Sequence, residues 1–119
     1  MIVEVAEHGA VLIVSVTGPR LDAAAAVGFK DSVRAVVRET RAVRVVLDLE
    51  RVQFLDSSGL GAVIGLKQEL APERRLELAA LGPAVRKVFR LTCMERIFAI
   101  HADAAAALSV AEDGPTHAC

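Results

Sequence analysis

A chain of 119 residues with 54% hydrophobic content is long enough to close one core and too short to divide comfortably into two, so a single domain is expected. Its 14 Lys and Arg against 15 Asp and Glu leave a net charge of -1, which offers no basic field to a phosphate backbone and excludes direct nucleic-acid binding as the expected role. Charges interrupt every apolar stretch before the roughly 20 residues that cross a bilayer, and Met1 to Val5 carries Glu4 with neither the basic flank nor the cleavage site of a secretory signal, so a cytoplasmic protein without membrane contact is expected.

Taken in chain order, Ile2 to Ala6 and Val11 to Val16 are short β-branched runs parted by His8-Gly9, and they predict an opening hairpin. Gly18-Pro19 stops the second strand. From Asp22, a predicted cap, Ala26, Phe29, Val33, Val36 and Val37 fall on one side of a helix while Lys30, Asp31 and Arg34 fall elsewhere. Val43 to Leu49 is apolar on both faces around Val45, Val46 and Leu47, as a central strand requires. A polar start at Asp56-Ser57-Ser58-Gly59 then opens a second helix through Val63, Ile64, Leu66 and Leu70. Leu76 to Leu81 resumes strand character, and Gly82-Pro83 opens a third helix whose face carries Val85, Val88, Phe89 and Thr92, with proline at a first-turn position. Ile97 to Ile100 predicts a last strand, and Asp103 caps an Ala-rich helix ending near Ala111. The order β-β-α-β-α-β-α-β-α predicts an α/β domain over residues 1–111, with a mixed, largely parallel sheet flanked by helices and a loose tail over 112–119.

Cys93 and Cys119 have no metal-site spacing and are expected as free thiols; His8, His101 and His117 are scattered and are expected in ordinary surface or packing roles, with no metal or cofactor. The four phenylalanines, Phe29, Phe54, Phe89 and Phe98, are assigned to the core. One turn carries chemistry: Asp56-Ser57-Ser58-Gly59-Leu60-Gly61 places a carboxylate and two hydroxyls between an apolar strand and an apolar helix. A helix N-terminus exposes unpaired N–H groups and partial positive charge, so a phosphate on Ser57 would be tolerated by its own helix. It would add about -1.5 to -2 charge beside Asp56 and repel an acidic or tightly packed partner. Taken by themselves the same residues read more readily as a cap, with Gly59 and Gly61 relieving crowding at a close backbone approach. A nucleophile is disfavoured, because the turn is not a Gly-x-Ser-x-Gly elbow and no His is placed to act as its base; a P-loop ending is also absent.

Val45-Val46-Leu47-Asp48-Leu49, leading through Phe54-Leu55 to Asp56-Ser57-Ser58-Gly59-Leu60-Gly61, resembles the signature of bacterial anti-sigma-factor antagonists of the STAS class. The likeness extends to Gly18 through Asp22 and to Gly82-Pro83-Ala84-Val85-Arg86-Lys87-Val88-Phe89, and so covers about residues 2 to 110. It implies the STAS fold, a phosphoacceptor at Ser57, and a partner-binding surface of Asp22, Asp56, Ser57, Ser58, Gly59, Leu60 and Gly61. It further implies an anti-sigma factor with a histidine-kinase-like ATPase fold as partner and serine kinase, a PPM-type serine phosphatase that reverses the modification, and no catalysis by the chain itself. The same module could serve another partner-switching pathway, or sense a nucleotide or anion. One departure is visible: relatives commonly carry Gly-acidic-Leu-Asp before the first helix, whereas Gly18-Pro19-Arg20-Leu21-Asp22 has an extra residue and a basic replacement. Asp22 still matches the aspartate that in the family lies close to the phosphorylation turn.

Overall fold

The computed structural model describes residues 3–110; Ile2 of the expected first strand, His117, Cys119 and the expected tail lie outside the described residues. Strands β1 (Val3–His8) and β2 (Val11–Val16) form the antiparallel hairpin, with Val3 opposite Val16 and His8 opposite Val11. Gly9 makes the reversal with φ 63°, a conformation open to a residue without Cβ. The first strand continues past Ala6 because it lies at the sheet edge, where Glu7 and His8 stay in water.

The chain then runs through β3 (Arg20–Leu21), α1 (Ala23–Arg38), β4 (Arg44–Asp48), β5 (Phe54–Leu55), α2 (Ser57–Leu70), β6 (Arg75–Ala79), α3 (Pro83–Leu91), β7 (Ile100–His101) and α4 (Ala104–Ser109). The main sheet has the order β1-β2-β4-β6-β7, parallel from β2 onward, with β4 at its centre. Period-two alternation divides its side chains. Leu12, Val14, Val45, Leu47, Leu76 and Leu78 meet Phe29 and Val33 of α1, Val63 and Leu66 of α2, and Val85 and Phe89 of α3 in the large core. On the other face Val11, Ile13, Val46 and Ala79 meet Ala104, Ala107 and Leu108 of the short α4. Val45-Val46-Leu47 is therefore buried on both sides, as expected of a central strand.

Several expectations need correction. Phe54 is not core: the residue is 39% exposed, because β5 belongs to a separate two-stranded pairing with β3. Thr92 does not share the buried face of α3; it ends that helix, exposed, with its hydroxyl donating to the Val88 carbonyl at 2.7 Å. The last strand is Ile100–His101 and not Ile97–Ile100, since a 3-10 turn at Met94–Arg96 carries the chain on until Phe98 drops edge-on against Phe89, 5.8 Å between ring centres. Helix α4 stops at Ser109, and β4 and β6 each begin or end within two residues of the expected limits.

Candidate functional site

The site is held by the small β3–β5 sheet. The Pro19 carbonyl accepts from the N–H groups of Gln53 and Phe54 at 2.7 and 3.1 Å, Arg20 lies opposite Phe54 and Leu21 opposite Leu55, and the Leu21 carbonyl accepts from the Asp56 N–H at 3.4 Å. This parallel pairing brings the chain entering α1 beside the chain entering α2, so the two helix N-termini lie side by side.

Two aspartates fasten them. Asp22 caps α1, its Oδ1 accepting from the Ala25 N–H at 3.2 Å. Asp56 caps α2 through Oδ1, which accepts from the Gly59 N–H at 3.0 Å, while its Oδ2 accepts from the Ala23 N–H of the neighbouring helix at 3.3 Å. One carboxylate thus satisfies orphan donors of two helices. Gly59 is needed by the same packing: a Cβ there would stand 2.0 Å from the Leu21 carbonyl oxygen. Gly61 has nothing within 4 Å of such an atom, so only one of the two expected close approaches is present.

The elements bring Asp22, Asp56, Ser57 and Ser58 to one rim. Ser57 is the first residue of α2, and both serines are exposed. Gly61 is exposed one turn along; Gly59 and Leu60 are buried, the latter donating its N–H to the Asp56 carbonyl at 2.9 Å, and they place the turn instead of lining its surface. Arg20 completes the rim. Its Nε lies 3.2 Å from Asp22 Oδ2 and its guanidinium carbon 4.2 Å from the centre of the Phe54 ring, with 60% of the side chain exposed. The hydrogen bond from Arg20 holds the Asp22 carboxyl below its ordinary range, so it is ionised near neutrality. Beyond Gln53, a groove of about 410 Å³ runs between Val52 and the Gly82-Pro83-Ala84 start of α3.

A second polar cluster, absent from the sequence reading, lies on the opposite face under α4. Arg44 is buried, with Nη2 2.7 Å from Glu77 Oε1 and 3.0 Å from the Ala107 carbonyl, and its Nη1 donates to the Val110 carbonyl at 3.4 Å. His101 Nε2 lies 2.9 Å from the same Glu77 oxygen. Burial would raise the Glu77 carboxyl, but the hydrogen bonds from Arg44 and His101 outweigh it and hold the group below its ordinary range. The signal for this pair in the sequence is a charged residue within each of two otherwise apolar strands, Arg44 in β4 and Glu77 in β6, and only the placing of α4 over them shows that they are buried. Among the described residues no group of three or more His, Cys, Asp or Glu could hold a metal ion, and no helix is long and apolar enough to cross a membrane.

Residues 3–107 match the family model of the STAS domain. A STAS-domain containing protein of Pseudomonas aeruginosa (strain UCBPP-PA14) is 33% identical over 93 residues, 77% of this chain and 89% of that protein. The anti-sigma F factor antagonist of Paenibacillus polymyxa is 28% identical over 112 residues, 92% of this chain and 94% of that protein. Among solved structures, an anti-sigma factor antagonist from Mycobacterium paratuberculosis superimposes with a TM-score of 0.80 at 30% identity, covering 91% of each chain.

Proposed function

Since the chain belongs to the STAS domain family, we propose that it is an anti-sigma-factor antagonist whose Ser57 is the phosphoacceptor of a partner switch. The observation that carries this reading is the position of Ser57: exposed, first in α2, directly after the aspartate that ties α2 to α1. Unphosphorylated, the rim of Asp22, Asp56, Ser57, Ser58 and Gly61 docks on a cytoplasmic anti-sigma factor with a histidine-kinase-like ATPase fold, which then lets its sigma factor go. The partner transfers a phosphoryl group from ATP to the Ser57 hydroxyl, and the hydroxyl proton is lost to solvent or to the kinase. The added charge of about -1.5 to -2 then stands beside Asp56 and breaks the complex. A PPM-type phosphatase hydrolyses the ester and restores the hydroxyl. The chain is a substrate and a ligand in this cycle and catalyses no step of it.

A phosphate held covalently on the exposed Ser57 needs no free cap N–H to stay there, and the positive end of α2 offsets part of its repulsion from Asp56, so the modification need not rebuild the helix start. The alternative, a resident anion or nucleotide sensed at the same place, is less well supported. The N–H groups of Ala23, Ala25 and Gly59 are already engaged by the carboxylates of Asp56 and Asp22, which would also repel such a ligand. The direct experiment is incubation of the protein with ATP, magnesium and each histidine-kinase-like ATPase of the same genome, with the modified residue located by peptide mass spectrometry. Phosphate on Ser57 with loss of the complex is expected. Ser57→Ala should bind such a partner and accept no phosphate; a Ser57→Ala variant phosphorylated as fully as the parent would remove Ser57 from the mechanism.

A further inference from the structure

Arg20 is the feature of the rim that the switch at Ser57 does not require. Most surface arginines sample many rotamers, and ordering one against a partner costs side-chain entropy. Here that freedom is already restricted on three sides. The backbone of Arg20 is locked opposite Phe54 by the β3–β5 pairing, its guanidinium stacks on the Phe54 ring, and Nε is held by Asp22. Phe54 is in turn kept at the surface, 39% exposed, where a core position would have been expected of a phenylalanine. The outcome is a planar cation fixed in orientation on a side chain 60% open to solvent, on the same rim as Ser57. A planar fork of N–H donors matches a carboxylate, and a cation over an aromatic face remains available to a second anion.

We infer that the Arg20–Phe54 stack is a specificity element of the docking surface, which selects a kinase partner presenting an Asp or Glu carboxylate to Arg20 with an apolar side chain beside it against Phe54. This rests on the docking role proposed for the Ser57 rim and adds to it the charge of the cognate partner. Charge complementarity commits the surface to an acidic contact. Asp22 and Asp56 have their carboxylates engaged by cap N–H groups, and Asp22 also by Arg20, so the exposed guanidinium is the directional charged donor that the rim presents outward. Phosphorylation of Ser57 then acts against the same partner twice, by repelling its acidic residue and by drawing on the positive field that Arg20 supplies.

The test uses the full chain and the kinase that phosphorylates Ser57 in the assay above, with binding measured by titration at low and high salt. Arg20→Glu should weaken the complex by about tenfold or more at low salt, with the deficit shrinking at high salt, and Arg20→Ala should be intermediate. Phe54→Leu, which keeps the apolar surface and removes the ring face, should weaken it severalfold. An Asp→Arg or Glu→Arg change on the kinase should restore binding to Arg20→Glu while weakening binding to the parent. Thermal unfolding of each variant within a few degrees of the parent confirms that the β3–β5 pairing survives. Binding of Arg20→Glu within about twofold of the parent at low salt overturns the inference and leaves the switch intact. A parent chain that no such kinase binds or phosphorylates overturns the switch itself, and this inference with it.

Discussion

At the scale of single residues, the two glycines that open α2 separate a geometric need from a helix-start habit. Gly59 sits where a Cβ would be 2.0 Å from a backbone oxygen that cannot turn aside, because Leu21 is held by its pairing with Leu55. Gly61 meets open space. Gly59→Ala should therefore destabilise the protein by about 1–3 kcal/mol through forced separation of α2 from the Leu21 strand. Gly61→Ala should be neutral to stabilising by about 0.5–1 kcal/mol, through better helix propensity alone. Urea unfolding of the pair decides it: equal effects would mean that the contact between α2 and β3 relaxes freely. Both residues belong to the one motif that the sequence displayed plainly, yet their difference was not legible there. It arises from Leu21, 38 positions upstream, and no local window contains that carbonyl.

At the scale of elements, helices were read well and their mutual arrangement was not. The apolar stripe Phe29, Val33 and Val37 fixed the buried face of α1, and Val85 with Phe89 that of α3, because burial follows a 3.6-residue period visible in the letters. The pairing of two-residue strands β3 and β5 has no such period, which explains why Phe54 was assigned to the core and Arg20 appeared only as a departure from a family pattern. The ion pairs that join α1 to α2 were equally hidden. Glu69 of α2 receives Arg34 Nε at 2.8 Å and lies 3.1 Å from Lys30 Nζ, both from α1. The hydrogen bonds from Arg34 and then Lys30 bring the Glu69 carboxyl down from 4.5 to about 2. A carboxyl depressed on folding binds protons more tightly in the unfolded chain, so its stabilising effect is present above pH 4.5 and is lost as pH falls toward 2. Glu69→Gln should accordingly flatten the decline of the melting temperature over that window. The difference from the parent should shrink in molar salt, since these side chains are exposed and screened. Parallel acid profiles for parent and variant at low salt would show that the bridge contributes nothing.

At the scale of the whole molecule, the sheet divides the protein into two unequal halves with different tasks. Three helices seal one face and bring the Ser57 rim to one end, while among the described residues the other face is closed by the six residues of α4. So short a helix does not hold itself by backbone cooperativity. What retains it, besides Ala104, Ala107 and Leu108, is Arg44, which reaches out of the central strand to the carbonyls of Ala107 and Val110 at the helix end and is itself neutralised by Glu77. Removing Arg44 leaves the buried Glu77 carboxylate only His101 at 2.9 Å and the exposed Arg75 at 3.4 Å. Losing one partner of a buried pair costs up to about 3–5 kcal/mol, whereas replacing both with apolar groups is often close to neutral. Arg44→Met should thus be strongly destabilising, and Arg44→Met with Glu77→Leu should recover most of that loss in urea unfolding. Recovery of stability need not recover α4: with its end carbonyls deprived of Arg44, amide exchange in Ala104–Ser109 should quicken in the double variant while β4 and β6 keep their protection. If the double variant is no more stable than Arg44→Met, the carbonyl bonds to α4 outweigh the stranded carboxylate, and the pair serves chiefly as a clasp. Because the Ser57 rim lies on the opposite layer, phosphorylation and partner binding by the double variant should match the parent in either case, and a loss of both would tie α4 to the switch.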